Sequence, residues 1–118
     1  MIAFPPSQRI FMRDDASDMR LGYDGLANLV VNALGCDPRS GDLFVFVNRK
    51  RNRLKILAWD HGGFWLLSKR LEEGKFPRPR KDPSRPDVCR TDLMMMLDGI
   101  EILRAKNSRR YTIAHKTL

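Results

Sequence analysis

Residue types that commonly build metal and nucleophilic sites are scarce in this chain. It contains two histidines and two cysteines, and Cys36 and Cys89 lie far apart with no short Cys-Cys spacing. Structural zinc sites and secreted disulfide scaffolds both rely on closely spaced ligands or cysteine frameworks. The sequence therefore predicts reduced thiols, a cytoplasmic location, no metal site and no cofactor.

Long apolar segments are also missing. No run of about eighteen apolar residues occurs, which is the length that a membrane helix requires. The N-terminal segment "MIAFPPSQRIFMRDD" lacks the apolar core of a signal peptide. We therefore expect no membrane partner, and 118 residues suit one domain with a modest core. That single domain is predicted over residues 1–103, followed by a basic tail over 104–118.

Acidic residues are outnumbered by basic ones. The chain has 22 Lys and Arg residues against 14 Asp and Glu residues, which leaves a formal net charge of +8. A surplus of this size says more about partners than about the fold, because it attracts polyanions. Nucleic acid is the first partner that the composition indicates.

The period of the apolar residues divides the chain into strands and helices. Residues 8–13 are typical of a first short strand. Apolar residues then recur at spacings of three and four, which predicts a helix near 18–34 that begins with Ser17 or Asp18 as N-cap and ends near Gly35.

Three further strands and one further helix follow. The runs "LFVFV", "RLKILAWD" and "FWLLSKRL" are separated by short turns, which favours an antiparallel meander. A shorter helix is expected near 91–98, with Thr91 or Asp92 as its N-cap. The predicted class is α+β: an antiparallel meander of three strands, or four with the N-terminal one, packed against one long and one short helix.

Prolines alternate with cations between the last strand and the second helix. Because proline donates no backbone hydrogen bond, this segment predicts an extended, mobile arm at about 77–90. Beyond Leu103 the sequence is basic and lacks strong periodicity, so a frayed tail is expected.

No arrangement of residues predicts an enzyme. A metal-dependent nuclease needs two or three converging carboxylates, but most carboxylates here occupy capping or turn positions. The sequence has no nucleophile elbow and no Gly-rich phosphate loop. A non-catalytic protein is predicted, and a nuclease is kept as a third hypothesis. The carboxylates considered are Asp14, Asp15, Asp18, Asp24, Asp60, Asp98 and Glu101.

Clusters of cations carry the stronger signal. The first lies where two strands should turn back, and we call it the basic finger: Arg49, Lys50, Arg51, Arg53 and Lys55. Ammonium and guanidinium groups bind phosphate oxygens without reading sequence, so the finger predicts a phosphate-contacting loop whose charges lie outside the core. Further predicted contacts are Lys69, Arg70, Lys75, Arg78, Arg80 and Lys81. The alternative for any one cluster is a solvated face.

Two stretches, 17–30 and 40–76, together resemble a known family. Their motifs are an Asp-Met-Arg opening of the helix, a basic hairpin, a Leu-x-Trp-Asp strand end and a Lys-Arg-Leu-Glu-x-Gly segment. The matching residues include Asp18, Met19, Arg20, Trp59 and Asp60, besides the basic finger and the segment from Lys69 to Gly74. The chain is similar to the small accessory protein, often called TnpB or Orf2, of the bacterial insertion-sequence-sixty-six family.

The resemblance implies a non-catalytic helper for transposition, encoded beside a separate transposase. This accessory protein is unrelated to the RNA-guided nucleases that share the name TnpB. DNA and the transposase of the same element are the expected partners. Two mechanisms remain open: direct DNA binding through the basic finger and the arm, or an adaptor that contacts only an acidic patch of the transposase. Family members usually lack the arm and the tail, so the predictions for those two segments rest on composition alone.

Overall fold

The computed structural model describes the backbone of residues 7–99, 101–104 and 111–114 and the side chains of residues 7–99. The elements in chain order are β1 (Ile10–Met12), α1 (Tyr23–Asn32), β2 (Leu43–Val47), β3 (Arg53–Asp60), β4 (Gly63–Arg70), α2 (Arg90–Leu97), β5 (Glu101–Arg104) and β6 (Tyr111–Ala114).

The predicted three-stranded meander is confirmed. β2 pairs antiparallel with β3, and β3 pairs antiparallel with β4, with Ile56 opposite both Val45 and Leu67. The turn between β3 and β4 places His61 at φ 47° and Gly62 at φ 83°. A two-residue hairpin turn that matches the twist of its strands requires positive φ at both central residues, and these two residues meet that requirement.

The sheet as a whole is mixed, not purely antiparallel. β1 pairs in parallel with β2, with Ile10 opposite Leu43, and the strand order is β1-β2-β3-β4. The connection between these two strands contains α1, which carries the chain back to the same end of the sheet. A crossover of this length permits parallel pairing. The prediction of a wholly antiparallel sheet is therefore wrong, because apolar periodicity does not reveal strand direction.

Each face of the sheet carries its own core. On one face, Leu26 and Val30 of α1 pack with buried residues of β2 and β3, including Phe44 and Phe46. On the other face, the core consists of Ile10, Leu43, Val45, Val47, Leu54, Ile56, Ala58, Phe76, Leu93 and Met96. The sheet is thus enclosed between α1 and the segment that contains the arm and α2. Burial of β2 on both faces agrees with its unbroken apolar sequence.

α1 begins later and is shorter than the helix predicted near 18–34, whereas α2 lies within one residue of its predicted bounds. The N-cap of α1 is Gly22, without a side-chain cap, so Ser17 and Asp18 do not cap this helix. Ser17 instead donates its backbone N–H to Val47 O at 2.9 Å. This bond keeps the chain extended against the end of β2 before α1 can begin. The N-cap of α2 is Cys89, so the prediction of Thr91 or Asp92 is also wrong.

The arm has no helix or strand between Pro77 and Cys89, as its prolines predicted. It is nevertheless tied to the sheet. The backbone N–H of Phe76 donates to Arg51 O at 2.6 Å, and that of Val88 donates to Ile10 O at 2.7 Å. Both ends of the arm are therefore anchored to the domain.

The predicted tail contains regular structure. β5 pairs antiparallel with β6, with Ile102 opposite Ile113, in a separate two-stranded sheet. The expectation of a frayed chain beyond Leu103 is therefore wrong for Tyr111–Ala114. The remaining parts of the predicted tail, 105–110 and 115–118, lie outside the described residues.

Candidate nucleic-acid interface

The loop of the basic finger has a defined backbone. Asn48 O accepts from Arg51 N at 3.0 Å, and Asn48 Oδ1 accepts from the backbone N–H groups of Asn52 and Arg53, both at 3.0 Å. Asn48 Nδ2 donates to Asn52 Oδ1 at 2.8 Å. The two asparagines therefore hold the turn. Asn is a common turn residue, so its position before the cations was the available sequence signal.

Three cations of the finger point to solvent. Arg49, Lys50 and Arg53 are exposed. Within residues 7–99, none of their side chains has an ion pair with a carboxylate. A rigid loop that presents uncompensated cations is suited to contact with phosphate oxygens.

Arg51 has a different environment. Its Nε donates to Phe76 O at 3.0 Å and its Nη2 donates to Pro77 O at 3.2 Å. Burial, followed by the charge of Arg78, lowers the pKa of Arg51. Arg51 thus fastens the start of the arm to the finger and is not a free surface cation.

Lys55 likewise holds the fold together. Its Nζ donates to Met19 O at 2.8 Å and to Leu21 O at 2.9 Å. These carbonyl groups lie in the segment that precedes α1, so Lys55 ties that segment to β3. The charges of the finger were predicted to lie outside the core, but the ammonium group of Lys55 binds carbonyl groups within the domain.

Arg80 pairs with the most deeply buried carboxylate of the described structure. The side chain of Asp92 is 1% exposed, and its Oδ1 lies 2.7 Å from Arg80 Nη2. Asp92 Oδ2 also accepts from the Arg80 backbone N–H at 3.0 Å. The hydrogen bonds that its side chain donates to Asp92 raise the pKa of Arg80. The pair clamps the arm onto α2.

The other predicted contacts are at the surface. Lys69 Nζ donates to Leu97 O at 2.6 Å, Arg70 Nη2 lies 3.1 Å from Glu72 Oε1, and Lys81 Nζ lies 3.2 Å from Asp14 Oδ2. Exposed pairs of this kind contribute little to stability and exchange easily with other anions. Lys75 and Arg78 are exposed as well.

The Asp-Met-Arg motif forms a compact unit. Asp18 Oδ2 accepts from Arg20 Nη2 at 2.8 Å, and Asp18 Oδ1 accepts from the Arg20 backbone N–H at 2.9 Å. These hydrogen bonds lower the pKa of Asp18 to about 2. Met19 is buried in the same core as α1. The motif therefore shapes the entry to α1 without capping it.

The second motif lies at the end of β3. The ring of Trp59 packs edge-on against Phe64 at 4.9 Å, and the guanidinium carbon of Arg39 lies 4.9 Å from the Trp59 ring centroid. Asp60 Oδ1 lies 3.3 Å from His61 Nε2 at the hairpin turn. Trp59 thus joins the hairpin to the turn before β2.

Carboxylates do not converge in the described part of the chain. Across residues 7–99, no group of three or more His, Cys, Asp and Glu side chains is placed to hold a metal ion. Asp14, Asp18 and Asp60 each face a basic residue instead. The side chain of Glu101, another carboxylate considered above, lies outside the described residues.

In the part of the chain that the structure describes, no helix has the length and apolarity to cross a membrane.

These features define a small α+β domain that presents cations from a rigid hairpin and a docked arm. The family model of the IS66 Orf2-like proteins matches residues 8–107. The chain belongs to this family, as the sequence motifs indicated, and it is a transposition-associated accessory protein.

Two relatives come from Sinorhizobium fredii. The uncharacterized protein y4jC is 35% identical over 98 residues, which cover 83% of this chain and 84% of the relative. The uncharacterized protein y4hO is 33% identical over 93 residues, which cover 79% of this chain and 81% of the relative. No solved structure shows a significant match.

Proposed function

We propose that the protein assists transposition of an insertion sequence by binding DNA without catalysing a reaction. The observation that carries this proposal is the set of exposed cations on the asparagine-held loop and at the start of β3, Arg49, Lys50 and Arg53. Arg49 lines the same pocket as Arg78, which the docked arm brings to this region. The binding surface therefore consists of the finger and the start of the arm.

The chemistry of this surface favours phosphates over base edges. Lys and Arg on an exposed loop neutralise phosphates and release condensed counterions, which gives affinity for any sequence. Lys69, Arg70, Lys75 and Lys81 extend the positive surface. Arg51, Lys55 and Arg80 support it by holding the loop, the segment before α1 and the arm in place.

A second function, an adaptor for the transposase, is favoured by a different observation. β4 is the last strand of its sheet, and Trp65 and Leu67 are 46% and 38% exposed on it. Large apolar side chains on an edge strand are typical of protein contacts. In this alternative, the basic surface meets an acidic patch of the transposase and does not touch DNA.

One titration distinguishes the two functions. The purified full chain is titrated with duplex DNA at several salt concentrations, with and without the transposase of its element. DNA binding by the protein alone that weakens steeply with salt supports our proposal. Binding to the transposase alone, with no DNA binding at low salt, supports the adaptor.

The non-catalytic part of the proposal needs its own assay. Supercoiled and linear DNA are incubated with the protein and magnesium or manganese, and we expect no cleavage. Nicking that requires the protein and disappears in the Asp60→Asn or Asp98→Asn variant would instead support the nuclease.

A further inference from the structure

A pocket of about 200 Å³ lies between the basic finger, the arm and the chain that follows β1. Its lining includes Arg13, Arg49, Arg51 and Arg78, together with Asp14 and Asn48. Four arginines thus reach one small cavity from three separate segments. The cavity is several times the roughly 30 Å³ that one water molecule occupies in the liquid.

The arginines of this pocket are placed unfavourably for one another. The charge of Arg78 contributes to lowering the pKa of Arg51, whose largest cause is burial. Like charges held close in a partly dehydrated site repel, and their repulsion is relieved when an anion lies between them. The arrangement therefore favours an anion over an empty pocket.

Arg13 supplies an independent observation. Its Nη1 donates to Ala16 O at 3.2 Å and to Ser17 Oγ at 3.3 Å. Its Nε is buried and has no acceptor within the described part of the chain. Buried donors are rarely left without a partner, so Arg13, which lines this pocket, has hydrogen-bonding capacity that its neighbours do not satisfy. Arg13 was not among the cations that sequence reasoning selected.

The remaining groups do not oppose an anion strongly. Asp14 is the carboxylate of the lining, and its Oδ2 lies 3.2 Å from Lys81 Nζ, which offsets its charge. Arg51 uses Nε and Nη2 on the carbonyl groups of the arm, which leaves Nη1 available. Guanidinium groups with available N–H donors match the oxygens of a phosphate.

We propose that this pocket binds a phosphate group. The inference rests on the proposed function in one respect: in the complex with DNA, the bound group is a backbone phosphate of the duplex that lies across the finger. Inorganic phosphate and a terminal phosphate monoester offer the same oxygens. The pocket thus fixes the position of the DNA backbone, while Lys50 and Arg53 contact neighbouring phosphates.

The first test needs no DNA. Thermal unfolding of the full chain is measured in inorganic phosphate and in chloride at equal ionic strength. Phosphate should raise the midpoint of the wild type, because a ligand that binds only the folded state stabilises it. Arg78→Gln should bind phosphate about tenfold or more weakly, since it removes a charge-assisted hydrogen bond. Arg39→Gln removes one exposed charge that lies outside the finger, the arm and the pocket, and it should keep the wild-type response.

Arg49→Gln provides a second pocket variant. Arg49 and Arg78 are exposed, so neither replacement should unfold the domain. Equal midpoints in phosphate and chloride for the wild type, or an Arg78→Gln response that matches Arg39→Gln, would overturn the proposal.

The second test identifies the source of the phosphate. Duplexes with and without 5′-phosphates are compared for affinity to the wild type and to Arg78→Gln. A backbone site predicts equal binding of both duplexes and an equal reduction in the variant, whereas a preference for phosphorylated ends would overturn the backbone assignment. Salt-dependent DNA binding without a phosphate response would overturn the pocket and leave the proposed function standing. A phosphate response without DNA binding would overturn the proposed function and leave the phosphate pocket standing.

Discussion

Replacement of Arg80 by glutamine should destabilise the domain more than replacement of any other predicted DNA-binding residue. The variant removes the guanidinium group that pairs with the carboxylate of Asp92, a side chain that is 1% exposed. Arg80 reaches it with Nη2 at 2.7 Å and with Nε at 3.1 Å. The variant loses the Nη2 bond and the positive charge, while the backbone N–H of residue 80 can still donate to Asp92.

The magnitude follows from the cost of removing one partner of a buried ion pair. Breaking a buried ion pair by removing one partner typically costs about 3–5 kcal/mol. The Arg80 side chain is 27% exposed, so some water reaches the pair and the lower value of about 3 kcal/mol is appropriate. For a domain of this size, such a destabilisation lowers the unfolding midpoint by on the order of 10 °C.

The assay is thermal and denaturant unfolding of four proteins: wild type, Arg80→Gln, Asp92→Asn and the double variant. The double variant lacks both charges of the pair, and Asn can still accept from the backbone, so it should be more stable than Arg80→Gln. The coupling between the two sites should be about 0.5–3 kcal/mol. A midpoint for Arg80→Gln within about 2 °C of the wild type would refute the stabilising role of the Arg80–Asp92 pair. Arg80 would then be an ordinary surface cation.

Two smaller predictions concern residues near the start of α1. Lys55→Met should lower the free energy of unfolding by about 1–3 kcal/mol in denaturant titrations, because the carbonyl groups of Met19 and Leu21 lose their donor; an unchanged value would contradict this role. The pKa of Asp18 is lowered to about 2 from 3.8, so its contribution to stability is complete above about pH 4 and is lost as the pH falls toward 2. The difference in unfolding midpoint between wild type and Asp18→Asn should therefore shrink over this range, and a difference that grows on acidification would contradict the assignment.

Local sequence patterns are sufficient to predict the central part of the fold. The unbroken apolar run of β2, the Gly-containing turn at His61 and Gly62, and the prolines of the arm each act over a few residues. Strand direction and helix entry depend on distant partners instead. β1 is parallel because α1 intervenes, and α1 begins late because Ser17 bonds to Val47.

The same distinction separates the cations of the candidate site. Arg49, Lys50 and Arg53 are exposed, as a basic loop between two strands predicts. In sequence, Arg51 and Lys55 cannot be told apart from these exposed cations. Their hydrogen-bond acceptors nevertheless lie 25 and 36 residues away. Composition cannot reveal such long-range partners.

The arm adds a further limit to prediction. Its prolines indicated an extended chain, but its docking depends on the Arg80–Asp92 pair and on the carbonyl groups that Arg51 binds. Arg13 enters the pocket only because β1 lies beside β2. The pocket therefore arises from tertiary structure and has no sequence motif.

The most direct test of DNA binding compares the wild type with a triple variant in which Arg49, Lys50 and Arg53 are replaced by serine. These side chains are exposed, so the unfolding midpoint should be nearly unchanged. The slope of log affinity against log salt on duplex DNA should flatten by roughly 0.9 for each phosphate that the variant no longer neutralises, about 2.7 in all, and equally for unrelated sequences. Arg39→Ser, which removes an exposed cation outside the finger and the arm, should leave the slope unchanged. A triple variant with the wild-type affinity and slope, or a wild type that does not bind DNA at low salt, would contradict the account.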